Sequence, residues 1–123
     1  MYKLYLDDIR DPTNTYPTTK NSEWVLARSY DEFVSAITNR GLPFIISFDH
    51  DLGDEHYVHG FVGRAPEYDK YTEKTGFHCA KWLVEYCMDN DKQLPKCNVH
   101  SANPIGAENI RAYLKSYENS RQK

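Results

Sequence analysis

The sequence predicts an α/β fold, a three-layer sandwich around a short parallel sheet of about four strands. Strand-like and helix-periodic runs follow one another in the order strand, strand, helix, strand, helix, strand, helix, the pattern of parallel sheets crossed by helices. Phe44-Ile45-Ile46-Ser47-Phe48 is an almost continuous apolar run, as a strand covered on both faces requires. Three of the strands also run directly into polar clusters, and open parallel sheets bind ligands outside the carboxyl ends of their strands.

Taken in order, Tyr2 to Leu6 alternates, is rich in Leu and Tyr, and reads as the first strand, ending at Asp7-Asp8. Arg10 to Ser22 holds Pro12, Pro17, four Thr and two Asn, so it reads as a loop without helical period. Trp24 to Arg28 is a second strand. Ser29 stands three residues before Glu32, a capping-box spacing, and Tyr30, Phe33, Val34 and Ile37 follow at helical intervals. Gly41 and Pro43 close that helix. Phe44–Phe48 is the central strand. Residues 50–74 form a long, irregular, polar loop with His56, His59, Gly60, Gly63 and Pro66, a length at which loops are usually functional or disordered. A helix runs from Thr75-Gly76 to about Asn90, with Phe77, Ala80, Val84 and Cys87 on one face and Trp82 and Tyr86 beside it. Cys97 to His100 is the last strand, and Asn103-Pro104-Ile105-Gly106 leads into a helix with the stripe Ala107, Ile110, Leu114 and Tyr117.

The 123 residues suffice for one domain, and no apolar run approaches a membrane span. A net charge of -3 gives no general electrostatic grip on DNA. Residues 1–60 carry ten acidic and five basic side chains, residues 61–123 eight and ten, so the chemistry is sought in the acidic half. Met1-Tyr2-Lys3-Leu4 lacks the pattern of a secretory signal, and a cytoplasmic setting is expected. Cys79, Cys87 and Cys97 match no zinc-knuckle spacing and read as reduced packing residues.

The candidate site is the rim where the strands end. Asp7-Asp8 follow the first strand, Asp49-His50-Asp51 and Asp54 the central one, and His100-Ser101 with Asn103 the last. Neighbouring strands lie about 4.8 Å apart, so adjacent strand ends bring Asp8 and Asp49 within reach of one point. Crowded carboxylates disfavour one another's ionisation, and a shared divalent cation relieves this. Carboxylate oxygens favour magnesium, whereas His50 or His100 would shift the preference towards manganese or zinc. Ser101 and Asn103 supply donors for an oxyanion, and Arg10 or Arg64 suits a phosphate. Read singly, each feature also has a plain use. Asp7-Asp8 suit a turn, Asp49–Asp54 a polar turn closed by Gly53, His100 a hydrogen-bonded core position, and His56 and His59 a solvated loop.

The runs Leu4-Tyr5-Leu6-Asp7-Asp8-Ile9-Arg10-Asp11-Pro12, Ile46-Ser47-Phe48-Asp49-His50-Asp51-Leu52-Gly53, Thr75-Gly76 with Ala80-Lys81-Trp82-Leu83, and Val99-His100-Ser101-Ala102-Asn103-Pro104 together resemble the cyclic-phosphate-processing receiver domain family of bacteria and phages. The resemblance covers most of the chain as a single receiver-like domain, the 50–74 loop excepted. It implies a receiver- or flavodoxin-like fold lacking the final strand-helix unit, whose lysine holds the phosphoryl group in ordinary receivers. Asp7 and Asp8 match the receiver's magnesium-binding acidic pair, Asp49 its phosphoacceptor position and Ser101 its small hydroxyl residue. His50, Asp51 and His100 have no counterpart in a phosphorelay site and suggest hydrolysis.

The expected activity is therefore a metal-dependent phosphoesterase acting on a cyclic phosphate, at an RNA 2',3'-cyclic end or in a cyclic nucleotide. Asp7, Asp8, Asp49 and Asp51 would hold magnesium or manganese in preference to zinc. His50, His100 and Asp49 would be catalytic, with Ser101, Asn103 and Arg10 on the substrate. The expected partner is a nucleotide or RNA end, with neither general DNA binding nor a membrane, in the cytoplasm of the cell or of a phage host. A non-catalytic module that sequesters a nucleotide or docks on a partner, and a phosphoaccepting switch at Asp49, are the competing functions.

Overall fold

A computed structural model describes residues 2–52 and 74–121. Its sheet contains β1 (Lys3–Leu6), β2 (Trp24–Ala27), β3 (Ile45–Phe48) and β4 (Lys96–Val99), with α1 (Pro12–Thr15), α2 (Tyr30–Arg40), α3 (Gly76–Asp89) and α4 (Pro104–Arg121) between and after them. The strands are all parallel, in the order β2-β1-β3-β4. The chain steps from β1 outward to β2, then returns across β1 to β3. That reversal puts a topological switch point between β1 and β3, where the crossovers diverge and the strand ends stay open.

Local signals explain the elements. Ser29 Oγ accepts the Glu32 amide at 3.2 Å and starts α2, which ends at Gly41 with φ 83°, a left-handed conformation that glycine adopts without steric cost. Thr75 starts α3 by accepting the Phe77 amide at 3.2 Å, while His78 Nδ1 accepts the Thr75 amide at 2.9 Å. Asn103 starts α4, its Oδ1 accepting the Gly106 amide at 3.0 Å.

The predicted loop from Arg10 to Ser22 is more structured than its sequence suggests. It holds the single turn α1 and a 3-10 turn over Asn21–Glu23 that runs into β2. Pro12 occupies the first turn of α1, and Asn14 Oδ1 accepts the Asp11 amide at 2.7 Å, so local side-chain bonding replaces the missing apolar period.

One sheet face carries Leu4, Leu6, Ala27, Ile46 and Phe48, buried against Phe33 and Ile37 of α2, Ala80, Leu83, Val84 and Cys87 of α3, and Ile110 and Leu114 of α4. Each fully buried Leu, Ile or Phe there contributes about 1.5–3 kcal/mol of transfer free energy. The buried side of α3 is turned slightly from the predicted face. Cys79 and Leu83 are inside, whereas Phe77 is partly covered and packs edge-on against Tyr113.

The opposite face carries Tyr5, Ser47 and Asn98 in register, covered by the β1–β2 connection. Tyr16 stacks on Trp24 with centroids 5.4 Å apart, and Tyr5 bonds to Thr15 at 2.7 Å. Tyr5 is therefore buried where simple alternation would expose it. Cys79 and Cys87 are buried, Cys97 is half-buried, and all three are free thiols. Burial raises the pKa of each, Cys97 to about 12, which makes them inert packing groups. Among the described residues no helix is long and apolar enough to cross a membrane.

The turn after β3 is wedged between two helix N-termini. A Cβ added at Gly76 would lie 1.8 Å from the Asp49 carbonyl oxygen, and one at Gly106 would lie 2.3 Å from the His50 ring. Neither position has room for a side chain. Gly76→Ala and Gly106→Ala are each expected to destabilise the fold towards the upper end of the ~1–3 kcal/mol typical of overpacking. Urea unfolding checks this.

Candidate metal and phosphate site

The site is built where the ladder runs one residue past β1 and β3. The Asp49 amide donates to the Leu6 carbonyl at 2.9 Å, and the Asp7 amide to that of Ala27 at 3.1 Å. Both carboxylates therefore leave the same sheet edge on the face that carries Tyr5 and Ser47. Asp7, Asp8 and Asp49 offer oxygens within 4.8 Å of one another. Asp7 and Asp49 are buried and Asp8 is half-buried.

Asp7 accepts four hydrogen bonds, one of them from the movable Arg10 side chain. Its Oδ1 accepts the amides of Ile9 at 3.0 Å and Arg10 at 2.9 Å, and its Oδ2 accepts Arg10 Nε at 2.8 Å and His100 Nε2 at 3.0 Å. Burial alone would raise its pKa, but the bonds from His100, Arg10 and Ile9 and the charge of Arg10 outweigh that and hold it down at about 2. Asp49 moves the other way, to about 7, because burial and the neighbouring Asp7 charge outweigh Arg10, whose Nη2 lies 3.3 Å from Asp49 Oδ1. Asp49 Oδ2 is buried with no hydrogen-bond partner among the described residues. An unsatisfied buried carboxylate oxygen beside two further carboxylates fits a divalent cation, and the cluster could hold one.

Arg10 is itself braced. Arg28 Nη1 donates to the carbonyls of Asp7 and Arg10, and its Nη2 meets Asp11 Oδ1 at 2.6 Å. This clamp fixes the turn from which Arg10 reaches back over the acidic cluster. Arg28 reads as the last residue of a strand in the sequence, and nothing in its neighbourhood signals a bracing role.

The structure divides the predicted site residues into two groups. Asp7, Asp8, Asp49, Arg10 and His100 converge. His50, Asp51 and Asn103 form a second buried network around the start of α4, so Asp51 is not part of the carboxylate cluster. His50 Nδ1 bonds to Asp51 Oδ1 at 2.8 Å, Asn103 Nδ2 donates to the same oxygen at 3.2 Å, and the His50 ring lies against Gly106. Asn103 uses both ends of its amide in this way, on Asp51 and on the Gly106 amide. Strand alternation accounts for the division, because side chains at positions 49 and 50 leave opposite faces. Ser101 is half-buried, its Oγ accepting the Asn103 amide at 3.1 Å. Gly53, Asp54, His56, His59, Arg64 and most of the predicted 50–74 loop lie outside the described residues. Ser47, which bonds to His100, and Tyr16, which bonds to Ser47, were hidden in the sequence within an apolar strand and a Thr-rich loop.

A parallel sheet in this order, with paired carboxylates at the β1 end and an aspartate at the β3 end, is the architecture of a receiver domain. A sequence model of the cyclic-phosphate processing receiver domain matches residues 2–116, and the chain belongs to that family. No curated protein and no solved structure matches the chain.

The two aspartates give a signed pH prediction. The raised pKa of Asp49 contributes stability that is full below about pH 4 and is lost as pH climbs to about 7. The lowered pKa of Asp7 contributes stability that is present above about pH 4 and is lost as pH falls towards 2. In chelator, the urea midpoint is therefore expected to fall between pH 4 and 7. Magnesium or manganese at pH 7.5 should recover it, and Asp49→Asn should flatten the slope and lose the cation response.

Proposed function

We propose that the chain is a metal-dependent phosphoesterase that opens a cyclic phosphate, at an RNA end or in a small nucleotide. The observation that carries this reading is the convergence of Asp7, Asp8 and Asp49 within 4.8 Å, beneath the Arg10 guanidinium. Membership of the cyclic-phosphate processing receiver family supports it. These three carboxylates would hold the cation, and an all-oxygen set favours magnesium or manganese over zinc. A divalent cation bound there supplies charge for a phosphoryl oxygen and acidifies a water.

The chain's own residues do the rest. Arg10 is about one-third exposed, so its planar fork can turn from the aspartates to the non-bridging oxygens of a phosphate. Ser101 Oγ already accepts a backbone amide and keeps its own proton to donate to the same oxygens. Asp49 Oδ2, without a partner among the described residues, is the open oxygen of the cluster and the one left for the cation, so the proton lost by the attacking water and the proton gained by the departing ring oxygen would be exchanged with solvent. His100 orients Asp7. His50 is fully buried with Nδ1 on Asp51, so the reading gives it no proton to carry.

A second reading, a nucleotide-binding module without turnover, is favoured by one observation. Both ring nitrogens of His100 are engaged and its side chain is 4% exposed, which leaves neither histidine presented as a proton shuttle. Incubation with 2',3'-cyclic nucleotides, cyclic dinucleotides and cyclic-phosphate RNA separates the two readings. Manganese-dependent ring opening, lost about 100-fold or more in Asp49→Asn and weakened chiefly in KM by Arg10→Gln, is the expected result. Saturable binding without product would establish the module, and neither binding nor product would sink both.

A further inference from the structure

We infer that Tyr16 and Ser47 are positioning residues of the site, forming with His100 a one-directional hydrogen-bond chain that ends on Asp7. The inference rests on the reading that Asp7 belongs to the working cluster. Asn98 Nδ2 donates to the Tyr16 hydroxyl at 3.4 Å, and that hydroxyl lies 2.8 Å from Ser47 Oγ. Ser47 Oγ is 2.7 Å from His100 Nδ1, and His100 Nε2 is 3.0 Å from Asp7 Oδ2. The chain thus crosses β4, the β1–β2 connection, β3 and the end of β1 on one sheet face.

Two ring contacts hold the geometry. The His100 imidazole is stacked on Tyr5, with centroids 4.5 Å apart and planes 4° apart, and Tyr16 is stacked on Trp24 at 5.4 Å and 5°. Neither ring can rotate without losing its stack.

The donor inventory fixes the direction. An ionised carboxylate only accepts, so His100 Nε2 carries the hydrogen that faces Asp7. In the neutral ring, the form this inference assigns to His100, Nδ1 then presents a lone pair. Ser47 must donate to it, which leaves Ser47 Oγ to accept from the Tyr16 hydroxyl. In this order Tyr16, Ser47 and His100 each donate once and accept once, and successive bonds polarise one another towards Asp7. Arg10 also bonds to Asp7 Oδ2 but is partly exposed, whereas His100 is walled in. Asp7 therefore keeps one orientation whether Arg10 stays or turns to a ligand.

Imidazole 15N NMR on the metal-free protein reads the chain directly, and wild-type His100 is expected as the Nε2–H tautomer. Ser47→Ala is expected to mix the tautomers and to weaken Mn2+ binding by roughly 10-fold, the scale on which partners of metal ligands act. Tyr16→Phe, which keeps the Trp24 stack, should shift both readouts in the same direction by less. Ser47→Thr, which keeps the hydroxyl, should retain the wild-type tautomer. A wild-type ring with a hydrogen on Nδ1, whether as the Nδ1–H tautomer or doubly protonated, overturns the inference, and so does Ser47→Ala with unchanged tautomer and unchanged Mn2+ affinity. If Ser47→Ala fails to fold, the wild-type tautomer and Tyr16→Phe decide. A tautomer lock that breaks in these variants, in a protein that turns over no cyclic phosphate, upholds the chain and removes only the proposed activity.

Discussion

The parallel pairing of β1 with β3 sets Asp7 beside Asp49, and the surroundings of the site follow from the need to compensate two buried carboxylates at adjoining strand ends. Like charges this close in a low-dielectric setting cannot both ionise without help. The fold answers asymmetrically. Asp7 receives four donors and stays ionised, while Asp49 keeps one buried oxygen without a hydrogen-bond partner among the described residues and holds its proton to about pH 7. That asymmetry separates a scaffold carboxylate from a responsive one.

The compensating groups are held in turn by the rest of the chain. Arg10 depends on the clamp from Arg28, the residue after β2, and β2 itself holds the Asp7 amide through the Ala27 carbonyl. His100 depends on Ser47 and on its stack with Tyr5. The Asp49–His50 turn depends on Gly76 and Gly106, which let two helix N-termini close on it. Helix N-termini carry partial positive charge, and the start of α4 meets the Asp51 carboxylate through Asn103. Two glycines thus connect the packing of the helical layer to the electrostatics of the rim.

Much of the framework was legible along the chain because it is encoded in short-range patterns. Ser29 and Glu32, Thr75, and Gly41 mark helix ends through contacts made within four residues. The apolar run at 44–48 marks a strand covered on both sides. The connection from Arg10 to Ser22 was not legible, since α1 rests on side-chain bonds between Asp11 and Asn14 and on packing of Tyr16 against Trp24. His50 and His100 looked equivalent, each following a strand beside polar residues. Their separation follows from strand parity and from the helix that approaches each, and neither is written in the neighbouring letters.

The sequence by itself determined the element order, the parallel sheet, the family resemblance and the placing of Asp7, Asp8 and Asp49 at strand ends, because periodicity, capping and apolar runs are local. Only the tertiary structure decided which groups share the site. It brought Arg10, His100, Ser47 and Tyr16 to Asp7, and it drew His50, Asp51 and Asn103 into the anchorage of α4. The reason is physical: burial, strand register and the direction of each hydrogen bond are properties of residues up to 93 positions apart, and chain order does not record them.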